Sequence, residues 1–92
     1  MKQRVHLFVS GQVQGVGYRH ATLRTARVLG ISGWVRNVAD GRVEILASGQ
    51  ANDIDALIEW CRQGPPGAGV SGVEVVSRQE TDLAVSSFEI WH

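Results

Sequence analysis

Two short stretches of this chain hold residue types that handle anions. In the first, Gly11-Gln12-Val13-Gln14-Gly15-Val16-Gly17-Tyr18-Arg19, glycines crowd a short segment just ahead of an arginine. A glycine-rich turn between a strand and a helix aims several backbone N–H groups at one point. The helix start adds unpaired N–H groups and the positive end of its dipole. Gly15 and Gly17 carry no side chain to block such an approach, and Arg19 offers a planar fork that matches a tetrahedral oxyanion. A phosphate fits that description. The second stretch, GWVRNVADGRVE from Gly33, holds Asn37 shortly before the turn pair Asp40-Gly41. If the two stretches meet, Arg19 can hold a phosphate while Asn37 holds a water beside it. Each also has a plain structural reading: a surface arginine after a flexible turn, and a turn-forming asparagine.

Better-known phosphate loops do not fit. A Walker loop ends in Gly-Lys-Ser/Thr, whereas Gly17 is followed by Tyr18 and Arg19. The dinucleotide fingerprint needs a third glycine where His20 stands, and a larger parallel sheet. His6, His20 and His92 are scattered, with no cysteine or carboxylate at ligand spacing, so no metal site is expected. Cys61 falls on the apolar stripe of a helical segment and reads as a buried, inert thiol. Trp34, Trp60 and Trp91 read as packing residues. Arg36 and Arg42 read as solvated strand charges that can also draw in an anion.

The elements that must position these residues follow from hydrophobic period. Val5, Leu7 and Val9 alternate with His6 and Phe8, which predicts a strand over residues 4–10. After the glycine-rich stretch a helix is predicted over 20–29, closed by Gly30, with Thr22, Thr25, Ala26 and Leu29 facing inward. A strand over 31–38 leads to Asp40-Gly41, a two-residue hairpin signal. Its partner places Val43, Ile45 and Ala47 on one side, Glu44 and Ser48 on the other. A second helix, capped by Asn52 or Asp53 and running to about residue 63, carries Ile54, Leu57, Ile58 and Cys61 at helical spacing. Gly64-Pro65-Pro66 ends it, and strands over 70–78 and 87–91 complete the order.

Two helices cover one face of such a sheet, and alternating strands suit an antiparallel sheet with its other face wet. The expectation is an α+β sandwich of the ferredoxin-like kind, one domain over residues 1–92, with a short fifth strand. A helical crossover makes the first two strands parallel. The glycine-rich loop and Asn37 then end at the same rim, one or two strand spacings apart, roughly 5–10 Å.

Composition narrows the partners. The chain has 92 residues, 43% hydrophobic and 20% charged, with formal net charge zero. Duplex nucleic-acid binders show a basic excess or stripe, and neither is present. No apolar run approaches the ~18 residues of a membrane span, and Leu7-Phe8-Val9 is too short for a signal-peptide core. A single cysteine cannot form an internal disulfide, and the cytoplasm is the expected compartment. A small neutral chain of this kind is expected to be a monomer.

With the residues in view, the chain resembles the acylphosphatase family. The resemblance rests on Val9-x-Gly11-x-Val13-Gln14-Gly15-Val16-x-Tyr18-Arg19 and on Gly33-Trp34-Val35-Arg36-Asn37, followed by Gly41-x-Val43 and Gly49. Gly64-Pro65-Pro66 and Phe88-x-Ile90 extend it over nearly the whole chain. Tyr18 stands where that family more often has phenylalanine, and its hydroxyl needs a partner if buried. The resemblance implies a ferredoxin-like fold and hydrolysis of the carboxyl–phosphate bond of small acyl phosphates. It further implies a phosphate held by Arg19 and by the backbone amides of Gly15, Val16, Gly17, Tyr18 and Arg19, water oriented by Asn37, and neither metal nor other cofactor. Two rivals are a single-stranded RNA module, for which the stretch RVEILAS lacks aromatics, and a non-catalytic sensor using the same loop.

Overall fold

The elements follow in the order β1 Lys2–Gln12, α1 Tyr18–Leu29, β2 Ser32–Asn37, β3 Val43–Gln50, α2 Ala51–Gln63, β4 Gly69–Glu80 and β5 Phe88–Trp91. This is a computed structural model, and it describes residues 1–82 and 87–92. The strands form one sheet in the order β4-β1-β3-β2-β5. β1 runs antiparallel to β3 and β4, and β2 antiparallel to β3. The expected antiparallel sheet therefore holds for β1 to β4, and β5 adds one parallel pairing, against β2. α1 packs on β2 and β5, α2 on β1, β3 and β4, and the two helices touch, so both lie on one face. That is the α+β, ferredoxin-like sandwich.

The alternation in the strands decides which face the helices cover. Val5, Leu7, Val9, Val35, Val43, Ile45 and Ala47 are buried beneath them, and Ile54, Leu57, Ile58 and Cys61 meet them from α2. Each fully buried Leu or Ile contributes about 1.5–3 kcal/mol of apolar transfer. The opposite face carries His6, Phe8, Trp34, Arg36, Glu44 and Leu46, whose registers place Arg36 opposite Glu44 and Glu44 opposite Phe8. Glu44 is nonetheless buried there, because His6 Nε2 and Arg36 Nε each lie 2.6 Å from one of its oxygens.

Local chemistry departs from the sequence reading at three element ends. α1 starts two residues early, at Tyr18, so Tyr18 and Ala21 join Thr22 and Ala26 on its buried side while Thr25 and Leu29 are half-buried. α2 is capped by neither Asn52 nor Asp53. Its N-cap is Gln50, in extended conformation at the end of β3, and the Ala51 N–H donates to the Met1 carbonyl at 3.0 Å. Met1, just ahead of β1, thus does the work of a side-chain cap, and Asp53 sits in the first turn, where its charge suits the dipole. The β2–β3 loop has three residues, not two. Val38 and Arg42 close it, Gly41 alone has positive φ (99°), and Gly41 N–H donates to Val38 O at 3.0 Å. A two-residue type I′ turn needs positive φ at both positions, and Asp40 instead uses its carboxylate to accept from the Arg42 N–H at 3.1 Å.

Candidate active site

The glycine-rich segment leaves β1, loops through residues 13–17 and enters α1. Buried Val13 anchors its start, and its N–H bonds the Gly11 carbonyl at 3.1 Å. Gly15 and Gly17 have φ of 74° and 79°, left-handed backbone that a side chain resists. A Cβ at either position would meet no protein atom within 4 Å, so both face open space. Gly17 is the N-cap of α1, and no side chain caps the helix there. The first helical hydrogen bond is Ala21 N–H to Gly17 O at 3.0 Å. The N–H groups of residues 18–20 are accordingly the unpaired donors of a helix start, and no acidic residue in the first turn offsets the dipole. Such a corner attracts an anion.

Arg19 occupies the first turn and is half-buried. Its Nη1 lies 3.5 Å from the Trp91 carbonyl and 3.3 Å from His92 Nδ1, long contacts that leave the guanidinium lightly held. Among the described residues no carboxylate pairs with it. The end of the chain thus borders Arg19, a neighbour that the sequence alone left open. β5 brings it there by running parallel to β2.

Asn37 closes β2. β1 and β2 flank β3 and point the same way, so the loop after β1 and Asn37 share a rim, two strand spacings apart (about 9–10 Å). Asn37 is two residues beyond buried Val35 and opposite buried Val43, which puts it on the helix-covered side with the loop. Its Oδ1 is buried and has no hydrogen-bond partner among the described residues. An orphaned buried acceptor is uncommon and costs stability, which marks it as a place where something else donates. The loop and the hairpin are joined by Gln14, whose Nε2 donates to Val38 O at 2.8 Å and to Arg42 O at 3.0 Å. Gln14 stands in the glycine-rich motif, yet a side chain bonding distant carbonyls leaves no periodic trace by which sequence reasoning finds it.

The Tyr18 side chain points away from this corner. It is buried, and its hydroxyl donates to the Cys61 carbonyl at 2.8 Å, one of the carbonyls left unpaired at the end of α2. Burial, then the neighbouring Cys61, pushes its pKa up, so the phenol keeps its proton. A Cβ on Gly64 would sit 2.7 Å from Tyr18 Cε2, so the glycine of Gly64-Pro65-Pro66 also makes room for this ring. Burial pushes the Cys61 thiol up to about 12, which leaves no thiolate to act as nucleophile. Arg36 and Arg42 are engaged with carboxylates, Arg36 with Glu44 at 2.6 Å and Arg42 with Asp40 at 2.8 Å. His20 is exposed at the helix start. Among the described residues no group of three or more His, Cys, Asp or Glu is placed to hold a metal, and no helix is long and apolar enough to cross a membrane.

The acylphosphatase family model matches residues 5–90. An acylphosphatase of Methylococcus capsulatus is 52% identical, the match covering 90% of this chain and 95% of the relative. One from Trichormus variabilis is 51% identical, covering 95% and 84%. Among solved structures, the acylphosphatase from Bacillus subtilis superposes with TM-score 0.91 at 35% identity, covering both chains fully. The Coxiella burnetii acylphosphatase gives 0.86 at 37% identity, covering 98% of this chain and 93% of the other. Matched along nearly its whole length in sequence and in fold, the chain belongs to the acylphosphatase family of hydrolases.

Proposed function

We propose that this chain hydrolyses the carboxyl–phosphate bond of a small acyl phosphate, with the phosphoryl group seated in the corner made by residues 15–19. The reading is supported by one rim of the sheet that carries an uncapped helix start and, among the described residues, an arginine with no carboxylate partner and a carboxamide oxygen with no hydrogen-bond partner. Arg19 and the amides of Gly15, Val16, Gly17, Tyr18 and Arg19 bind the phosphoryl oxygens. Asn37 Oδ1 accepts a hydrogen bond from water and turns its oxygen toward phosphorus. The new P–O bond forms as the bond to the acyl oxygen breaks, and the electron pair leaves on a carboxylate. A carboxylate departs without a proton, so the site needs no general acid. The water's proton leaves through the substrate's own oxygens.

Catalysis then rests on placement and on donors aimed where charge redistributes, each worth roughly 2.7–4 kcal/mol in comparable oxyanion sites. Every group in this mechanism belongs to the chain, so hydrolysis is expected to proceed without added metal. The protein is expected to act as a monomer in the cytoplasm. On the open face of the sheet Trp34 and Trp91 stack on each other, centroids 4.4 Å apart, and Arg42 covers Phe8 at 4.1 Å. Stacking takes one face of each tryptophan and Arg42 covers Phe8, which disfavours the RNA-binding alternative.

The test is hydrolysis of benzoyl phosphate in the presence of a chelator, followed by ultraviolet absorbance. Wild type is expected to turn over, and Arg19→Ala to lose at least ~10³-fold in kcat/KM. Binding of phosphate without turnover would make the protein a sensor instead. Substantial activity in Arg19→Ala would remove the guanidinium from the mechanism.

A further inference from the structure

Between Val13 and α1 the loop has two left-handed glycines, and of its side chains only Val16 packs against the core. Asn37 reaches the same rim on a strand that β1 does not touch, since β3 lies between them. Along the chain Asn37 lies 22 residues beyond Gly15 and 18 beyond Arg19. β3 pairs with both strands and fixes their ends, so what the sheet leaves open is the position of the loop beyond Val13 relative to the hairpin, and the Gln14 carboxamide spans that gap. Gln14 immediately precedes Gly15, and Val38 immediately follows Asn37. The two N–H bonds of the Gln14 amide go to Val38 O and Arg42 O, the two carbonyls at the neck of the hairpin. Those carbonyls also accept from Gly41 and Val38 respectively, so the neck is rigid before Gln14 reaches it. Both partners are acceptors, which fixes the amide with nitrogen toward them.

We infer that Gln14 is a positioning residue that sets the distance between the phosphate corner and the water held by Asn37. The inference rests on the acyl phosphate reading and deepens it. Gln14 is exposed, so its role is not core packing, and exposed hydrogen bonds of this kind stabilise a fold only modestly. Misplacement of reacting groups by about 1 Å, in contrast, can cost ~10²-fold in rate. A tether of this kind acts on the alignment of water and phosphorus more than on affinity for the anion.

Gln14→Met keeps the length and removes both donors. It is expected to lower kcat for benzoyl phosphate about 10–100-fold, with inhibition by inorganic phosphate shifted less than about threefold. Because Gln14 acts through the placement of Asn37, the double variant with Asn37→Ala is expected to be no slower than Asn37→Ala alone. Full activity in Gln14→Met, a parallel loss of phosphate inhibition, or additive losses in the double variant would each overturn the tether. ¹⁵N relaxation reads the same tether without catalysis. Amides 14–17 are expected to be ordered in wild type, with S² near ~0.85, and to fall toward ~0.6 or below in Gln14→Met. A loop equally ordered, or equally mobile, in both proteins would overturn it. Wild type without turnover but with an ordered loop that Gln14→Met loosens would place the failure in the proposed activity and leave the tether standing.

Discussion

Arg19 and Asn37 are left incomplete by the fold in opposite senses. Among the described residues, Arg19 is a cation with only long contacts to a carbonyl and an imidazole, and Asn37 presents a buried oxygen with no hydrogen-bond partner. In the proposed roles, one group grips phosphate and the other aims water, and the two should fail differently. Asn37→Ala is expected to lower kcat by about 10²–10³-fold while inorganic phosphate still inhibits with nearly unchanged affinity. An equal fall in phosphate affinity would make Asn37 a ligand of the anion. Arg19→Lys is expected to do little better than alanine, because a point charge cannot reproduce the fork. These two side chains, with Gly15 and Gly17, stand out in the sequence as candidates because their types are unusual for the elements around them. Gln14 and the nearness of Trp91 and His92 to Arg19 are not, since each depends on which strands end together at the rim.

Among the elements, helix ends explain more than helix middles. The start of α1 is left open toward solvent, whereas the end of α2 is closed by the first residue of α1 through the Tyr18 hydroxyl. Tyr18→Phe deletes that donor and strands a buried carbonyl. It is expected to cost about 1–3 kcal/mol in urea unfolding, with kcat within about twofold of wild type because the phenol faces away from the site. A large loss of kcat with unchanged stability would contradict that division of labour. The strands of the sheet are readable from Val5-Leu7-Val9 and Val43-Ile45-Ala47, because a one-residue slip would turn each set into solvent. The cap of α2 is not readable, because its donor goes to Met1, far away in sequence. The parallel pairing of β5 is equally hidden. Four residues carry too little pattern to choose a partner, and only packing against α1 and β2 decides it.

For the molecule as a whole, Glu44 ties three strand positions together on the open face, linking β1 through His6 and β2 through Arg36. Burial alone would raise its pKa, but hydrogen bonds from His6 and Arg36 outweigh burial and hold it below the ordinary glutamate value. The folded protein therefore resists the proton that the unfolded chain accepts. This contribution to stability is full above the ordinary glutamate value and is lost as pH falls through the lower, folded pKa. Glu44→Gln is expected to lower Tm at pH 7 and to narrow its gap from wild type as both are titrated toward pH 3. A gap that stayed constant with pH would refute the assignment. A second buried group offers a different use. Cys61 is the chain's single cysteine, fully enclosed on α2, its proton held to about pH 12. An alkylating reagent such as iodoacetamide can reach it only in molecules that have opened, so the protein carries its own stopwatch for opening. The rate of mass gain in native buffer should follow the population of open chains and climb with urea in step with loss of circular dichroism. Bound phosphate should slow that stopwatch in wild type and leave it unchanged in Arg19→Ala.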